Sequence, residues 1–356
     1  LPRINYDANG ENGALLLEGQ RANLISQSEF YGGSDWARTR CGFVTNTSET
    51  LSPEGLYNAS KMTSTDASES YAQDNVTLGS TSGTFTFFAK KGDLDYCHAL
   101  VWDISANGRR QWFNLATGAV GTTTNFGSGY TKVDATIEDY GNGWYRCSFS
   151  WSGGNTTSAV RINISSGDGV IGSPINSYGY FYGAQLEANA SYATSYIPNH
   201  SGTGGVTRAA DVCTGNVSEE FNSTEGVLYI ESSAIASDST NKVITISDGT
   251  TSNRVQIYFN SSNGITGGVA GQAAISYSGD ITQNTKIAFK YKANDFALWI
   301  NGVEVGTDSV GNAPSGLNQI VFHNGASGSP FYGNMKQLVY LNEALTDSEL
   351  ATLTTL

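Results

Sequence analysis

Short apolar runs separated by glycine, asparagine and serine recur along the whole chain. Residues 84–90 read Thr-Phe-Thr-Phe-Phe-Ala-Lys, an alternation typical of a half-buried strand. Similar runs predict further strands at residues 14–17, 98–104, 109–115, 144–151, 158–165, 177–186, 226–231, 242–247, 253–259, 286–292, 296–300, 303–305, 319–323 and 335–341. Spacing of this kind favours antiparallel β-sandwiches, an all-β fold class.

Turn and cap signals support the same architecture. The pairs Asn107-Gly108 and Asn301-Gly302 stand between predicted strands, and Asn-Gly is a strong hairpin signal. One good helix start is visible near the end of the chain, where Thr346 is followed three residues later by Glu349. That spacing predicts a capping box.

The domain junction is predicted from a change in composition. Residues 199–224 are rich in glycine, threonine and asparagine and have little apolar periodicity, as expected of a linker. A chain of 356 residues is long enough for about two domains. We therefore predict a first sandwich over residues 1–205, a linker over 206–224 and a second sandwich over 225–356.

Composition and charge exclude several classes of function. Charged residues make up 14% of the chain, glycine contributes 42 residues, and the net charge is −13 with a pI of about 4.6. Such an acidic chain lacks the clustered Lys and Arg that general nucleic-acid binding needs, and it does not suit an anionic membrane surface. The sequence has no run of 18 apolar residues, so we expect no membrane insertion.

The cysteines form no metal or redox motif. Cys41, Cys97, Cys147 and Cys213 are far apart in sequence, and no two stand in a CxxC pair. We interpret them as buried free thiols, since cysteine often serves as a small apolar side chain. One or two disulfides are the alternative, and the sequence does not choose among the pairings.

Three blocks of the first domain resemble a module of tailed-phage tail and spike proteins. The first block is residues 3–25. The second comprises residues 111–118 (Gln-Trp-Phe-Asn-Leu-Ala-Thr-Gly) and 141–147 (Gly-Asn-Gly-Trp-Tyr-Arg-Cys). The third, which resembles the end of the module, comprises residues 182–187, 194–198 and 207–211. The resemblance implies a carbohydrate-binding jelly roll in an extracellular or virion-associated protein. Because the chain begins Leu-Pro-Arg, we expect a fragment or a processed chain, with further tail-protein domains before Leu1.

The second domain resembles concanavalin-like and laminin-G-like sandwiches. The likeness rests on residues 296–303 (Phe-Ala-Leu-Trp-Ile-Asn-Gly-Val) and 340–346 (Tyr-Leu-Asn-Glu-Ala-Leu-Thr). It implies a fold far more than an activity. It requires no cofactor, but it leaves room for a calcium ion on loop oxygens, with Asp248 and Asp308 as candidates.

Alternation along the strands predicts a polar face on the first sandwich. The three predicted strands are residues 109–115, 144–151 and 158–165. In each of them one alternating set of residues is expected in the core, and the other set is expected on the outer face. We predict that the outside sets share one sheet face and form a glycan site. That predicted face comprises Trp102, Arg110, Trp112, Asn114, Trp144, Arg146, Arg161 and Asn163, with His98 beside them.

This combination suits an anionic polysaccharide. Aromatic rings stack on the apolar side of sugar rings, and amides bond hydroxyl groups. Guanidinium groups bind carboxylates and sulfates in bidentate fashion. The alternative is that the arginines are solvated and that Trp144 and Arg146 belong to the scaffold. A second face with Tyr258 and Lys290 is expected to be a solvated sheet surface, although it could also bind glycan.

An enzymatic alternative is β-elimination on a uronate polymer such as alginate. A jelly-roll polysaccharide lyase needs a neutralised carboxylate, a base and a proton donor. Arg161, His98 and Tyr180 could supply these roles, and a structural histidine is the alternative for His98. A glycoside hydrolase is disfavoured because paired carboxylates about 5–10 Å apart are not offered by the predicted strands.

The sequence is therefore compatible with three functions. The leading hypothesis is a phage-type receptor-recognition protein whose partner is an extracellular polysaccharide. The second is a polysaccharide lyase. The third is a structural fibre module with neither activity.

Overall fold

The computed structural model describes residues 3–6, 10, 11, 13–215 and 221–356. The chain divides into two compact units. One unit, called sandwich I, comprises Gln20–Ala209. The other, called sandwich II, comprises Ala210–Leu356 together with the residues up to Gly19.

Nearly all regular structure in the described residues is strand. The strands are β1 (Arg3–Asn5), β2 (Ala14–Leu17), β3 (Arg21–Asn23), β4 (Ala37–Thr39), β5 (Cys41–Val44), β6 (Ser60–Ser64), β7 (Tyr71–Thr77), β8 (Gly83–Lys91), β9 (Tyr96–Trp102), β10 (Gly108–Asn114), β11 (Ala119–Phe126), β12 (Tyr130–Asp139), β13 (Trp144–Gly153), β14 (Thr157–Ser165), β15 (Tyr178–Ala188), β16 (Val206–Arg208) and β17 (Thr214–Gly215). They continue with β18 (Glu225–Ala234), β19 (Lys242–Ser247), β20 (Arg254–Asn260), β21 (Gly264–Val269), β22 (Ala273–Ser278), β23 (Thr285–Lys292), β24 (Phe296–Ile300), β25 (Val303–Asp308), β26 (Gln319–Val321) and β27 (Gly333–Leu341). A helix, α1, spans Asp347–Thr354.

Sandwich I consists of two six-stranded antiparallel sheets and a small antiparallel pair formed by β3 and β16. Sheet IA has the order β11-β10-β9-β14-β7-β4, and sheet IB has the order β12-β13-β8-β15-β6-β5. The strands alternate, so one set of side chains from each sheet fills the space between them. Phe113 of sheet IA and Phe87 of sheet IB meet there, with ring centroids 6.0 Å apart. The all-β sandwich class predicted from the sequence is confirmed.

Sandwich II is built in the same way. Sheet IIA has the order β1-β2-β27-β18-β23-β24-β25, and sheet IIB has the order β17-β26-β19-β20-β21-β22. Helix α1 covers the outside of sheet IIA, where Leu350 packs in one cluster with Trp299. Thr346 caps this helix and Glu349 closes the predicted capping box.

The amino-terminal residues belong to a different domain from the one predicted. Residues up to 205 were expected in the first domain, but β2 pairs with β27, where Leu16 lies opposite Asn334. Arg3 forms ion pairs with Glu18 and Asp211. The hydrogen bonds of this sheet and these ion pairs group the described residues up to Gly19 with sandwich II. Local composition does not encode such long-range pairing.

Two turns with the same sequence signal have different structures. Asn301 and Gly302 have positive φ values of 49° and 82°, as a type I′ hairpin requires. At Asn107-Gly108 the loop is longer and Gly108 already belongs to β10. The Asp103 carboxylate closes that loop by accepting hydrogen bonds from the backbone N–H groups of Ser105, Ala106 and Asn107 at 2.9–3.0 Å.

All four cysteines are unpaired thiols, with Cys97 and Cys147 buried and Cys41 and Cys213 half-buried. Helix α1 is too short to cross a membrane, and the described residues include no helix that is long and apolar enough to do so.

Candidate functional site

The predicted outer face of the first sandwich lies on sheet IA. In the antiparallel ladder Trp112 lies opposite His98, and His98 lies opposite Asn163. One step along, both Arg110 and Arg161 lie opposite Leu100. Directly opposite residues point to the same side of a sheet. The alternation predicted for these strands is therefore confirmed.

Trp144 and Arg146 do not belong to this face. They lie on β13 in sheet IB, whose outer side is the opposite face of the sandwich. Trp144 is buried and donates from Nε1 to the Leu51 carbonyl at 2.7 Å, and Arg146 Nη2 donates to the Thr194 carbonyl at 2.5 Å. The prediction of one common face is wrong for this pair, because alternation does not say which sheet a strand joins.

Two of the predicted glycan-site residues and the adjacent His98 are buried on sheet IA. The exposed fraction is 0% for Trp112, His98 and Asn163. Trp112 stacks on His98 with centroids 4.8 Å apart and donates from Nε1 to the Val170 carbonyl at 3.0 Å. The loop that carries Val170 covers the indole, so these side chains cannot stack on a sugar in this structure.

Asn114 serves the turn after β10. Its Nδ2 donates to the Tyr96 hydroxyl at 2.9 Å, and its Oδ1 accepts from the backbone N–H groups of Ala116 and Thr117 at 2.9 and 3.1 Å. These contacts occupy the amide that was predicted to bond sugar hydroxyls.

Trp102 and Arg110 are half-buried and Arg161 is 9% exposed, and the fold adds Glu69 to them. Arg110 Nη2 lies 3.5 Å from Glu69 Oε1, and Arg161 Nη1 lies 3.4 Å from Glu69 Oε2. The side chains of Glu69, Arg110 and Arg161 are 15%, 16% and 11% exposed. We call Glu69, Arg110, Arg161, Tyr71, Gln73, Trp102 and Phe126 the arginine cluster.

Aromatic rings and one amide hold the two guanidinium groups in place. The Arg161 Cζ lies 3.8 Å from the Tyr71 ring centroid and 4.6 Å from that of Trp102. Gln73 Oε1 accepts from Arg161 Nε at 2.6 Å and from Trp102 Nε1 at 3.3 Å. Arg110 lies over the Phe126 ring at 4.8 Å. Cation–π contacts of this kind are favourable and restrict side-chain motion.

The charges of the cluster do not cancel. Burial alone would raise the pKa of Glu69, but the nearby His98 ring and the charges of Arg110 and Arg161 hold that pKa below its usual value. Burial lowers the pKa of His98, which keeps the imidazole neutral. One carboxylate thus faces two guanidinium groups, which leaves a net positive charge on a chain of net charge −13.

Sequence reasoning missed Glu69, Tyr71, Gln73 and Phe126. Tyr71 and Gln73 alternate along β7 and lie opposite Asn163 and Arg161. Period-two alternation over residues 71–77 could have found them. Glu69 precedes the strand in a polar stretch, and no local pattern marks it.

The residues proposed for a lyase are not brought together. His98 and Arg161 lie on sheet IA, whereas Tyr180 lies on β15 in sheet IB. Tyr180 donates its hydroxyl hydrogen to Glu49 Oε2 at 2.8 Å, and burial raises its pKa. A base must reach the proton that it removes. The buried His98 and the distant Tyr180 do not meet that condition around one substrate.

The two residues of the second predicted face lie on different sheets. Tyr258 lies on β20 of sheet IIB, whereas Lys290 lies on β23 of sheet IIA. Lys290 is buried and its Nζ lies 2.7 Å from Asp295 Oδ1. These two side chains therefore do not share a surface.

The carboxylates of the candidate calcium ligands, Asp248 and Asp308, accept hydrogen bonds from residues close in sequence. Asp248 Oδ1 accepts from the N–H and the hydroxyl of Thr250 at 2.9 and 2.6 Å, and its Oδ2 accepts from Asn253 at 2.9 Å. Asp308 Oδ1 accepts from the Val310 N–H at 3.0 Å. Within the described ranges, no group of three or more His, Cys, Asp or Glu side chains could hold a metal ion.

No protein-family profile matches the chain, and no curated protein matches it. Among solved structures, the CBM40 of a Ruminococcus gnavus IT-sialidase is similar over 41% of this chain and 94% of its own, with 14% identity and a TM-score of 0.35. Mouse laminin alpha1 domains LG4-5 cover 93% of this chain and 92% of theirs, with 8% identity and a TM-score of 0.29. The heptameric SAP-like pentraxin of Limulus polyphemus covers 38% and 77%, with 14% identity and a TM-score of 0.25. Likenesses this distant carry no statement about what the chain binds.

Proposed function

We propose that sandwich I binds a polysaccharide that carries carboxylate or sulfate groups, and that it does so through the arginine cluster. The observation that carries this proposal is the uncancelled charge of Arg110 and Arg161 around the single carboxylate of Glu69. Both guanidinium groups keep exposed surface, and an acidic sugar would supply the missing negative charge.

The aromatic members suit a sugar better than a simple anion. Tyr71 and Trp102 are half-buried residues, and Arg161 lies over one side of each ring. An uncovered ring face can lie against the C–H surface of a pyranose, while the guanidinium bonds the acidic group. Gln73 fixes Arg161 and Trp102 in one arrangement, so little side-chain freedom is lost when a ligand binds.

The biological setting is part of the proposal. The blocks within residues 3–211 that resemble phage tail and spike modules support a receptor-recognition role. The ligand would then be a bacterial or algal surface polysaccharide, and the protein would work outside the cell or on a virion beside further tail-protein domains.

The experiment is a calorimetric titration with uronate oligosaccharides and with neutral oligosaccharides of the same length. The double variant R110Q/R161Q should weaken uronate binding by roughly tenfold or more, because hydrogen bonds to charged groups are worth about 1.5–3 kcal/mol. Lys91→Gln is the control variant. Lys91 is exposed on sheet IB, so this substitution removes a positive charge from the same sandwich away from the arginine cluster.

Circular dichroism would establish that each variant is folded. Unchanged uronate affinity together with unchanged stoichiometry in folded R110Q/R161Q would refute the arginine cluster as the site. Absence of binding to any acidic or neutral glycan by the wild-type chain would instead favour the structural fibre module.

A further inference from the structure

Sandwich II carries a polar groove on the outer face of sheet IIB. Arg254, Gln256 and Tyr258 alternate along β20 and point away from the core, which Val255, Ile257 and Phe259 occupy. The residues across the ladder from Gln256 are Thr245 on one side and Gly268 on the other. Gly268 in turn lies opposite Ala274. Small residues beside a line of larger side chains leave hollows along that line.

Two hollows flank Arg254 and Gln256. The larger, of about 430 Å³, extends over β21 and β22 to Ala274. The smaller, of about 160 Å³, extends to Tyr258 and Asn324. Both are lined by Arg254 and Gln256. We call the two hollows together the Arg254 groove. Its larger part alone is within the range of roughly 300–1,000 Å³ that is usual for small-molecule sites.

Arg254 and Gln256 both retain polar groups that a ligand could bind. Arg254 Nη1 donates to the Asn324 carbonyl at 2.7 Å, which fixes the direction of the guanidinium. Within the part of the chain that the structure describes, Arg254 has no ion pair, and the Gln256 amide has no hydrogen-bond partner. A fixed guanidinium and a free amide are donors and acceptors for a ligand.

The charge of the groove is opposite to that of the chain. The side chains that line the hollows include no carboxylate, and Arg254 contributes a positive charge. Burial lowers the pKa of Arg254, although not enough to discharge it. On a chain of net charge −13, an arginine without a carboxylate partner favours an anionic ligand.

We infer that the Arg254 groove is a second binding site, separate from the arginine cluster, for an oligosaccharide with an acidic sugar. Arg254 binds the carboxylate or sulfate, and Gln256 bonds neighbouring hydroxyl groups. The ring of Tyr258, half-buried at the end of the smaller hollow, packs against the next sugar. The two hollows on either side of Arg254 accommodate successive residues of one glycan chain.

The test is a titration of the full chain with a uronate oligosaccharide, with stoichiometry and affinity measured for the wild type and three variants. Arg254→Gln removes the charge. Ala274→Asp introduces a carboxylate at an exposed position of the larger hollow. Ser278→Asp adds the same charge to β22 outside both hollows and is the matched control. The double variant R110Q/R161Q isolates this site from the arginine cluster.

We expect the R110Q/R161Q chain to retain one bound uronate oligosaccharide. Adding Arg254→Gln or Ala274→Asp should weaken that remaining site roughly tenfold or more, whereas Ser278→Asp should leave it unchanged. Loss of all binding in R110Q/R161Q would overturn this inference and leave the proposed function standing. Equal binding of neutral oligosaccharides, or full retention in Ala274→Asp, would also overturn it.

Discussion

The guanidinium of Arg161 lies over the ring of Tyr71, with Cζ 3.8 Å from the ring centroid. The two residues come from neighbouring strands, β14 and β7, and the contact exists only because those strands pair in sheet IA. Together with the Gln73 amide, it holds the guanidinium of Arg161 in one position. A fixed guanidinium beside half-buried aromatic residues is the basis of the site proposed for sandwich I.

Replacing Glu69 should lower the stability of the fold but strengthen uronate binding. Glu69→Gln leaves the two partly buried guanidinium groups without a counter-charge, so the free energy of unfolding should fall by about 1–3 kcal/mol. Affinity for uronate should rise, because the net charge of the cluster becomes more positive. Urea unfolding and calorimetry measure the two effects. Glu138→Gln, at an exposed position of β12, is the control, and equal stability of the two variants would contradict the prediction.

The two tryptophans of sheet IA should behave differently. Trp112 is 0% exposed, so Trp112→Ala should lower the free energy of unfolding by roughly 3–5 kcal/mol. Trp102 is half-buried over Arg161, so Trp102→Ala should cost less stability but weaken glycan binding. Denaturant melts and glycan titrations of both variants measure this contrast. Wild-type affinity in Trp102→Ala would count against the arginine cluster.

Asp74 should make stability depend on pH near neutrality. It is buried on β7, and burial, together with the charge of Asp35, raises its pKa to about 7. Between the usual Asp pKa of about 4 and pH 7, the folded chain holds a proton that the unfolded chain lacks. That contribution to stability is present at acidic pH and is lost as the pH rises through about 7.

The matched variant is Asp74→Asn, which stays neutral. At about pH 8 it should be more stable than the wild type by roughly 2–4 kcal/mol, and the difference should shrink towards about pH 5. Urea unfolding of both proteins across this range measures the difference. A difference that does not change with pH would show that Asp74 does not titrate there.

Incubation with alginate and other uronate polymers should not produce unsaturated uronate. His98 is buried against Trp112, and Tyr180 lies on the other sheet, so the base and the proton donor of the lyase hypothesis cannot act on one substrate. The ultraviolet absorbance of the unsaturated product is the measurement. A sustained rise in that absorbance that persists in His98→Ala would require a different active site.

Much of the fold could be predicted from the sequence because the signals are local. Alternation separated Gln111 and Phe113 from Arg110 and Trp112 on one strand. The capping box at Thr346 and the Asn301-Gly302 turn were readable for the same reason, since each depends on residues a few positions apart.

The tertiary structure decided which of these residues form a site. It placed Trp144 on sheet IB, covered Trp112 with the loop that carries Val170, and brought Glu69 between Arg110 and Arg161. Alternation tells which side of a strand a residue faces. Strand pairing and loop packing depend on contacts between distant residues, and these determine whether that side is exposed and what lies beside it.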